Sequence, residues 1–151
     1  MELSPSKLNL FLFLKLPNAW FSGVRLKELS NNHAVSSVKH RWINQNPFKS
    51  MYFAVQAMAA ELVTGVLVMQ AIQKSNRKIS MLVAQNTSEF TKKATGRIHF
   101  TCQQGHEIDA IIEKCISTGE GQKIWLKSVG KNEKNEVVST FNFEWTLKVK
   151  N

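Results

Sequence analysis

A single carboxylate, Glu61, interrupts MYFAVQAMAAELVTGVLVMQAI (Met51–Ile72), a stretch of membrane-span length with no other charged residue. An acid held away from water is costly to ionise unless it is paired, and its pKa tends upward. Such a group suits a general base for water, or a nucleophile, at an ester-like carbonyl. The bland alternative is an acid satisfied by a backbone N–H or a basic neighbour. Just upstream, Asn46-Pro47 has the form of an N-cap followed by the first helical proline, and Ser50 is a second N-cap candidate. A helix beginning here would aim free N–H groups and the positive end of its dipole at an oxyanion. Tyr52 carries a hydroxyl that could reach a carbonyl, although a core tyrosine is the commoner outcome. Lys92, Lys93 and Arg97 flank one turn and would suit a diphosphate, although a solvated turn is the commoner outcome for any one of them.

The elements that must place these groups follow from pattern. Ser4-Pro5 caps a short helix over about 5–15, which Pro17 closes. Residues 23–29 and 33–42 read as strands joined by an Asn31-Asn32 turn, and the apolar segment gives a long helix from about 50 to 73. Residues 78–90 and 95–102 are strands around the Lys92-Lys93 turn. HEIDAIIEKCIS has helical spacing and is stopped by Gly119 and Gly121. Residues 123–129 and 137–150 form a final hairpin in which Phe141, Phe143, Trp145, Leu147 and Val149 share one face. The long helix is expected inside this sheet: a bilayer span would put Glu61 in hydrocarbon and strand the amphipathic elements around it.

Composition sets the bounds. The 151 residues suffice for one domain with a core, residues 1–151, and 43% apolar against 21% charged residues is ordinary for a globular chain. A net charge of +9 suits an anionic partner, yet the basic residues are dispersed and no RNA-binding signature appears, so nucleic acid is not expected. Cys102 and Cys115 lack metal-type spacing and read as reduced thiols in a cytoplasmic protein. The four histidines have no ligand spacing, so no metal is expected. LNLFLFL is too short for a secretory core and lacks a small-residue cleavage site, so export is not expected.

Read from Asn46, NPFKSMYFAVQAMAAEL resembles the central-helix motif of hotdog-fold acyl-CoA thioesterases, approximately N-P-x-G-x-x-H-G-G, six residues, then an acid. Asn46, Pro47 and Glu61 match without a gap. Downstream, Phe90, Lys92, Ala94 and Gly96 in NTSEFTKKATGRIHF resemble the family's strand-turn-strand pattern. Lys49 replaces the first Gly, Tyr52 the His, and Phe53-Ala54 the Gly-Gly pair. The likeness is to an uncharacterised, thioesterase-like branch.

It implies an α+β hotdog, a curved antiparallel sheet around the central helix, forming a homodimer or tetramer with sites between subunits. The implied activity is hydrolysis of an acyl-CoA or acyl-carrier-protein thioester. Glu61 would activate water, Asn46 or Tyr52 would assist, and backbone N–H groups at Tyr52 and Phe53 would hold the oxyanion. Lys92, Lys93 and Arg97 would bind the carrier phosphates. No cofactor is implied beyond the coenzyme A of the substrate. Because His-Gly-Gly is missing, a non-catalytic module binding an acyl ligand or a protein partner stands as the alternative.

Overall fold

A computed structural model describes residues 3–150; residues 1, 2 and 151, the ends of the expected unit, lie outside it. Helix α1 (Pro5–Lys15) starts as the sequence indicates, with Ser4 Oγ accepting from the Lys7 N–H and Pro5 in the first turn. Pro17 does more than close it: it opens a second short helix, α2 (Pro17–Phe21), because a first-turn proline needs no N–H partner.

Six strands follow in chain order, β1 (Arg25–Leu29), β2 (Ala34–Lys39), β3 (Ile79–Phe90), β4 (Arg97–Cys102), β5 (Gln122–Lys131) and β6 (Val137–Val149). They form one antiparallel sheet in the order β1-β2-β4-β5-β6-β3. The long helix α3 (Phe53–Ser75) lies against this sheet, and α4 (Gly105–Thr118) joins β4 to β5. Side chains alternate as the last strand foretells, with Phe141, Phe143, Trp145 and Leu147 all buried. Val63, Val66 and Leu67 of α3 complete the core. The whole is an α+β fold with a helix held against an antiparallel sheet.

Two boundaries differ most from the sequence reading. The second strand stops at Lys39, and Trp42 instead begins a 3₁₀ turn, Trp42–Asn44. The long helix starts at Phe53 because the chain before it pairs elsewhere. The Met51 N–H donates to the Ala94 carbonyl at 2.8 Å, and Met51 bridges to Gln45. Length and apolar composition would allow α3 to cross a membrane, but most of it is buried inside the fold.

Between Asn46 and Met51 the chain makes a tight loop with Lys49 at φ +59°, in the left-handed region. A non-glycine residue is strained there, which gives a physical reason for glycine at the matching place in the resembling motif. Lys49→Gly is expected to stabilise the protein by about 0.5–1 kcal/mol, relief of strain exceeding the added chain entropy. The check is a higher urea midpoint at unchanged m-value.

Candidate functional site

Two separate chambers hold the candidate residues. The first is an open cleft of about 600 Å³ at the N-terminus of α3, between Asn46, Tyr52, Phe53, Phe90, Lys92 and Lys93, among others. Asn46 is not the helix cap expected from its place before proline. Its Oδ1 accepts from the Phe48 N–H at 2.9 Å and the Ser50 N–H at 3.3 Å, so it ties the loop that precedes the helix. Ser50 is buried within that loop and is not the cap either; Tyr52 holds the N-cap position with no side-chain capping bond.

The Tyr52 N–H donates to the Asn44 carbonyl at 2.8 Å. It is therefore not free for an oxyanion, and that expectation is corrected. The first unengaged donors, among the described residues, are the N–H groups of Phe53 and Ala54, which open the helix and have no intrahelical acceptor. Phe53 does not fill the chamber. Its half-exposed ring stands edge-on to Tyr52 and to Phe90, with centroids 5.1 and 6.2 Å away.

The three cations do not act alike. Lys92 pairs with Glu136 at 2.7 Å, and Lys93 Nζ donates to the Phe48 carbonyl at 3.3 Å, so both stand at this chamber's rim. Arg97 does not. Its position on β4 sends the guanidinium to Ser37 Oγ on the neighbouring strand, at 2.8 Å, which removes it from the expected phosphate group. His99, Lys127 and Lys131 line a further cleft of about 690 Å³ on the outer face of the sheet, with no Phe, Tyr or Trp among its lining residues.

Glu61 occupies the second chamber, about 250 Å³ beneath α1 and α2, where Leu12, Lys15, Leu16, Ala19 and Met58 surround it. No hydrogen bond or ion pair reaches its carboxylate among the described residues. Burial pushes its carboxyl above the ordinary carboxylate value. The backbone around it is pinned: Thr64 Oγ donates to the Glu61 carbonyl at 2.8 Å, and Trp145 Nε1 donates to that same Thr64 hydroxyl at 3.0 Å. One turn on, Gly65 leaves room for the acid, since a Cβ there would meet Glu61 Oε1 at 3.2 Å and the Trp145 ring at 3.5 Å.

This environment has a thermodynamic consequence. A carboxyl whose pKa is higher folded than unfolded favours the folded state while protonated. That advantage is complete below the unfolded value and is lost as pH rises through the folded one. Glu61→Gln cannot ionise, so it is expected to melt above wild type at about pH 7.5 and level with it at about pH 4. Melting curves at the two pH values check this.

Three contributors escaped the sequence. Asn44 is buried, donates to the Ser22 and Lys39 carbonyls, and accepts from the Arg41 N–H, so it fixes the turn that engages Tyr52. Nothing in WIN signals that role. Lys15 joins the acid's chamber only through tertiary packing. Gly65 could have been found, because i and i+4 share a helix face.

The fold and a profile of its sequence now point the same way. The family described as a domain of unknown function, DUF4442, matches residues 7–147. The chain belongs to this family. Among solved structures it is similar to a Pseudomonas aeruginosa protein of unknown function described as a probable thioesterase. The two share 21% identity over 97% of each chain, with a TM-score of 0.83. It is also similar to a protein of unknown function from Chlorobaculum tepidum TLS, with 18% identity over 97% of this chain and 94% of that one, and a TM-score of 0.82. A thioesterase of Haemophilus influenzae matches at 9% identity over 99% of this chain and 93% of its own, with a TM-score of 0.73. No curated protein matches the sequence. At such identities the likeness establishes the fold alone, and the fold of this DUF4442 chain is the hotdog, an antiparallel sheet with a long helix packed against it.

Proposed function

We propose that this DUF4442 protein hydrolyses acyl thioesters carried on coenzyme A or an acyl-carrier protein, with Glu61 as the general base. The observation that carries the reading is a partly buried carboxylate, unpaired among the described residues, that opens into an apolar chamber on a hotdog helix. Deprotonated Glu61 takes a proton from water as the oxygen attacks the thioester carbonyl. The tetrahedral intermediate's oxyanion is held by N–H groups at Phe53 and Ala54, and collapse expels the thiolate, which takes the proton that Glu61 accepted and so restores the base. Tyr52 lines the same chamber as those donors, and its hydroxyl can add a hydrogen bond.

One chain does not complete this site. Phe53 and Glu61 are eight residues apart on one helix, or about 12 Å along its axis, far beyond the reach of a shared carbonyl. The arrangement is satisfied by two copies, one supplying the acid and the other the helix N-terminus. What supports a homodimer is β3, a twelve-residue strand that, among the described residues, pairs with β6 alone and presents its other edge unpaired. Lys92 and Lys93 stand at the donor chamber's rim, where the carrier's phosphates would lie. Asn46 serves as a positioning residue through its loop. Two buried free thiols, Cys102 and Cys115, suit a cytoplasmic home.

Free-thiol release from a panel of short, medium, long and aromatic acyl-CoAs, and from acyl-carrier protein, tests the proposal. Turnover that collapses in Glu61→Gln supports it. A folded wild type that turns over nothing on the panel would favour the binding module instead.

A further inference from the structure

The N-terminal helices carry large apolar side chains on both of their faces. In α1, Leu8 and Leu12 enter the core, while Leu10, Phe13 and Leu14 form a second stripe that faces outward, with Leu14 62% exposed. Phe13 extends that stripe to α2 through edge contacts with Trp20 and Phe21, at centroid distances of 5.4 and 6.5 Å. Phe21 is itself 62% exposed. The Asn44 amide, bonded to the Ser22 carbonyl at 2.9 Å, holds the Trp42–Asn44 turn alongside α2 and adds Ile43 and the 84% exposed Trp42. A helix apolar all round is normally covered all round, and a continuous exposed apolar patch marks a surface that meets something.

Charge identifies what it meets. Residues 1–61 contain seven Lys and Arg against three acids, Glu2, Glu28 and Glu61, the last beneath the helices themselves. Lys7 and Lys15 stand at the two ends of α1, and the Arg41 guanidinium lies over Gly23, just past α2. A second copy of this face would bring an excess of cations against the same excess. An acidic bilayer supplies the missing negative charge in its headgroups and an apolar layer for the Leu and Phe side chains. Lysine stems can lie along the apolar surface with their ammonium groups among phosphates, and tryptophan favours that boundary.

We infer that α1, α2 and the Trp42–Asn44 turn form a docking surface for an anionic lipid bilayer. The helices lie along the membrane surface and do not cross it. The docking does not depend on the reaction proposed above. The same two helices roof the chamber of Glu61, so a docked molecule holds that chamber at the lipid boundary.

Co-sedimentation with vesicles tests this directly, using the full chain with phosphatidylcholine alone or with about a third phosphatidylglycerol. Wild type is expected to bind the anionic vesicles at least ~10-fold more tightly than the neutral ones, and more weakly at high salt. Phe13→Glu/Leu14→Glu and, separately, Trp42→Glu are each expected to weaken that binding by about 10-fold or more. Lys127→Gln/Lys131→Gln removes the same net charge as the double variant, but from the outer face of the sheet, and is expected to stay within about 2-fold of wild type. Melting curves and gel filtration accompany each variant. The proposal is overturned if wild type does not bind anionic vesicles, or if only the outer-face variant loses binding. It is equally overturned if the Phe13 and Leu14 changes separate an oligomer while leaving vesicle binding intact, which would make the face a contact between copies.

Discussion

Replacing Glu61 by Gln is expected to lower the turnover of the best acyl thioester by about 10²–10⁴-fold, the range a positioned general base contributes. Gln keeps the size of the side chain and its place beside Gly65, so KM should change little. The loss then reports chemistry and not binding. The acid limb of the wild-type profile is informative too. Activity needs the deprotonated carboxylate, and burial raises its pKa, so the rise in rate with pH is expected above the ordinary carboxylate range. Measuring kcat and kcat/KM across pH for both proteins checks the two expectations together. An unchanged rate in Glu61→Gln would place the water-activating group elsewhere.

The second large effect is expected at the start of α3, where backbone chemistry can be changed by a side-chain substitution. Tyr52 has φ −62° and ψ 136°, the extended conformation that a residue preceding proline requires. Phe53→Pro therefore fits the helix start, where proline is well accommodated, and deletes one N–H. Loss of an oxyanion donor lowers turnover by about 10²–10³-fold. Phe53→Ala removes the same ring but keeps the N–H, and is expected to remain within about 10-fold of wild type. Equal losses in the two variants would assign the effect to the aromatic ring and its contact with Phe90.

Much of the fold was legible because local pattern and tertiary need agree. The β6 alternation, the Ser4-Pro5 helix start and the Gly119 stop each express a rule satisfied within a few residues, and each holds in the structure. Departures arise where long-range partners override local preference. Asn46-Pro47 has the form of a helix start, yet Met51 pairs with Ala94, more than forty residues away, and postpones the helix to Phe53. Arg97 sits near Lys92 and Lys93 in sequence, but strand alternation sends it to Ser37, across the sheet. The candidate site was legible at Glu61, because one charge in a stretch of 22 residues is visible without a structure. The engaged Tyr52 N–H was not, since its acceptor, Asn44, depends on a 3₁₀ turn whose first residue, Trp42, sequence pattern reads as the end of a strand.

The central claim, a site shared between an acid from one copy and helix N–H groups from another, is tested most directly by a hybrid dimer. Glu61→Gln and Phe53→Pro subunits, each carrying a different affinity tag, are co-expressed, and the doubly tagged species is isolated and assayed for thiol release. The hybrid contains one site with both Glu61 and the Phe53 N–H, so it is expected to show about half the wild-type turnover per dimer, while either parent dimer is nearly inactive. A hybrid as inactive as its parents would contradict the shared site.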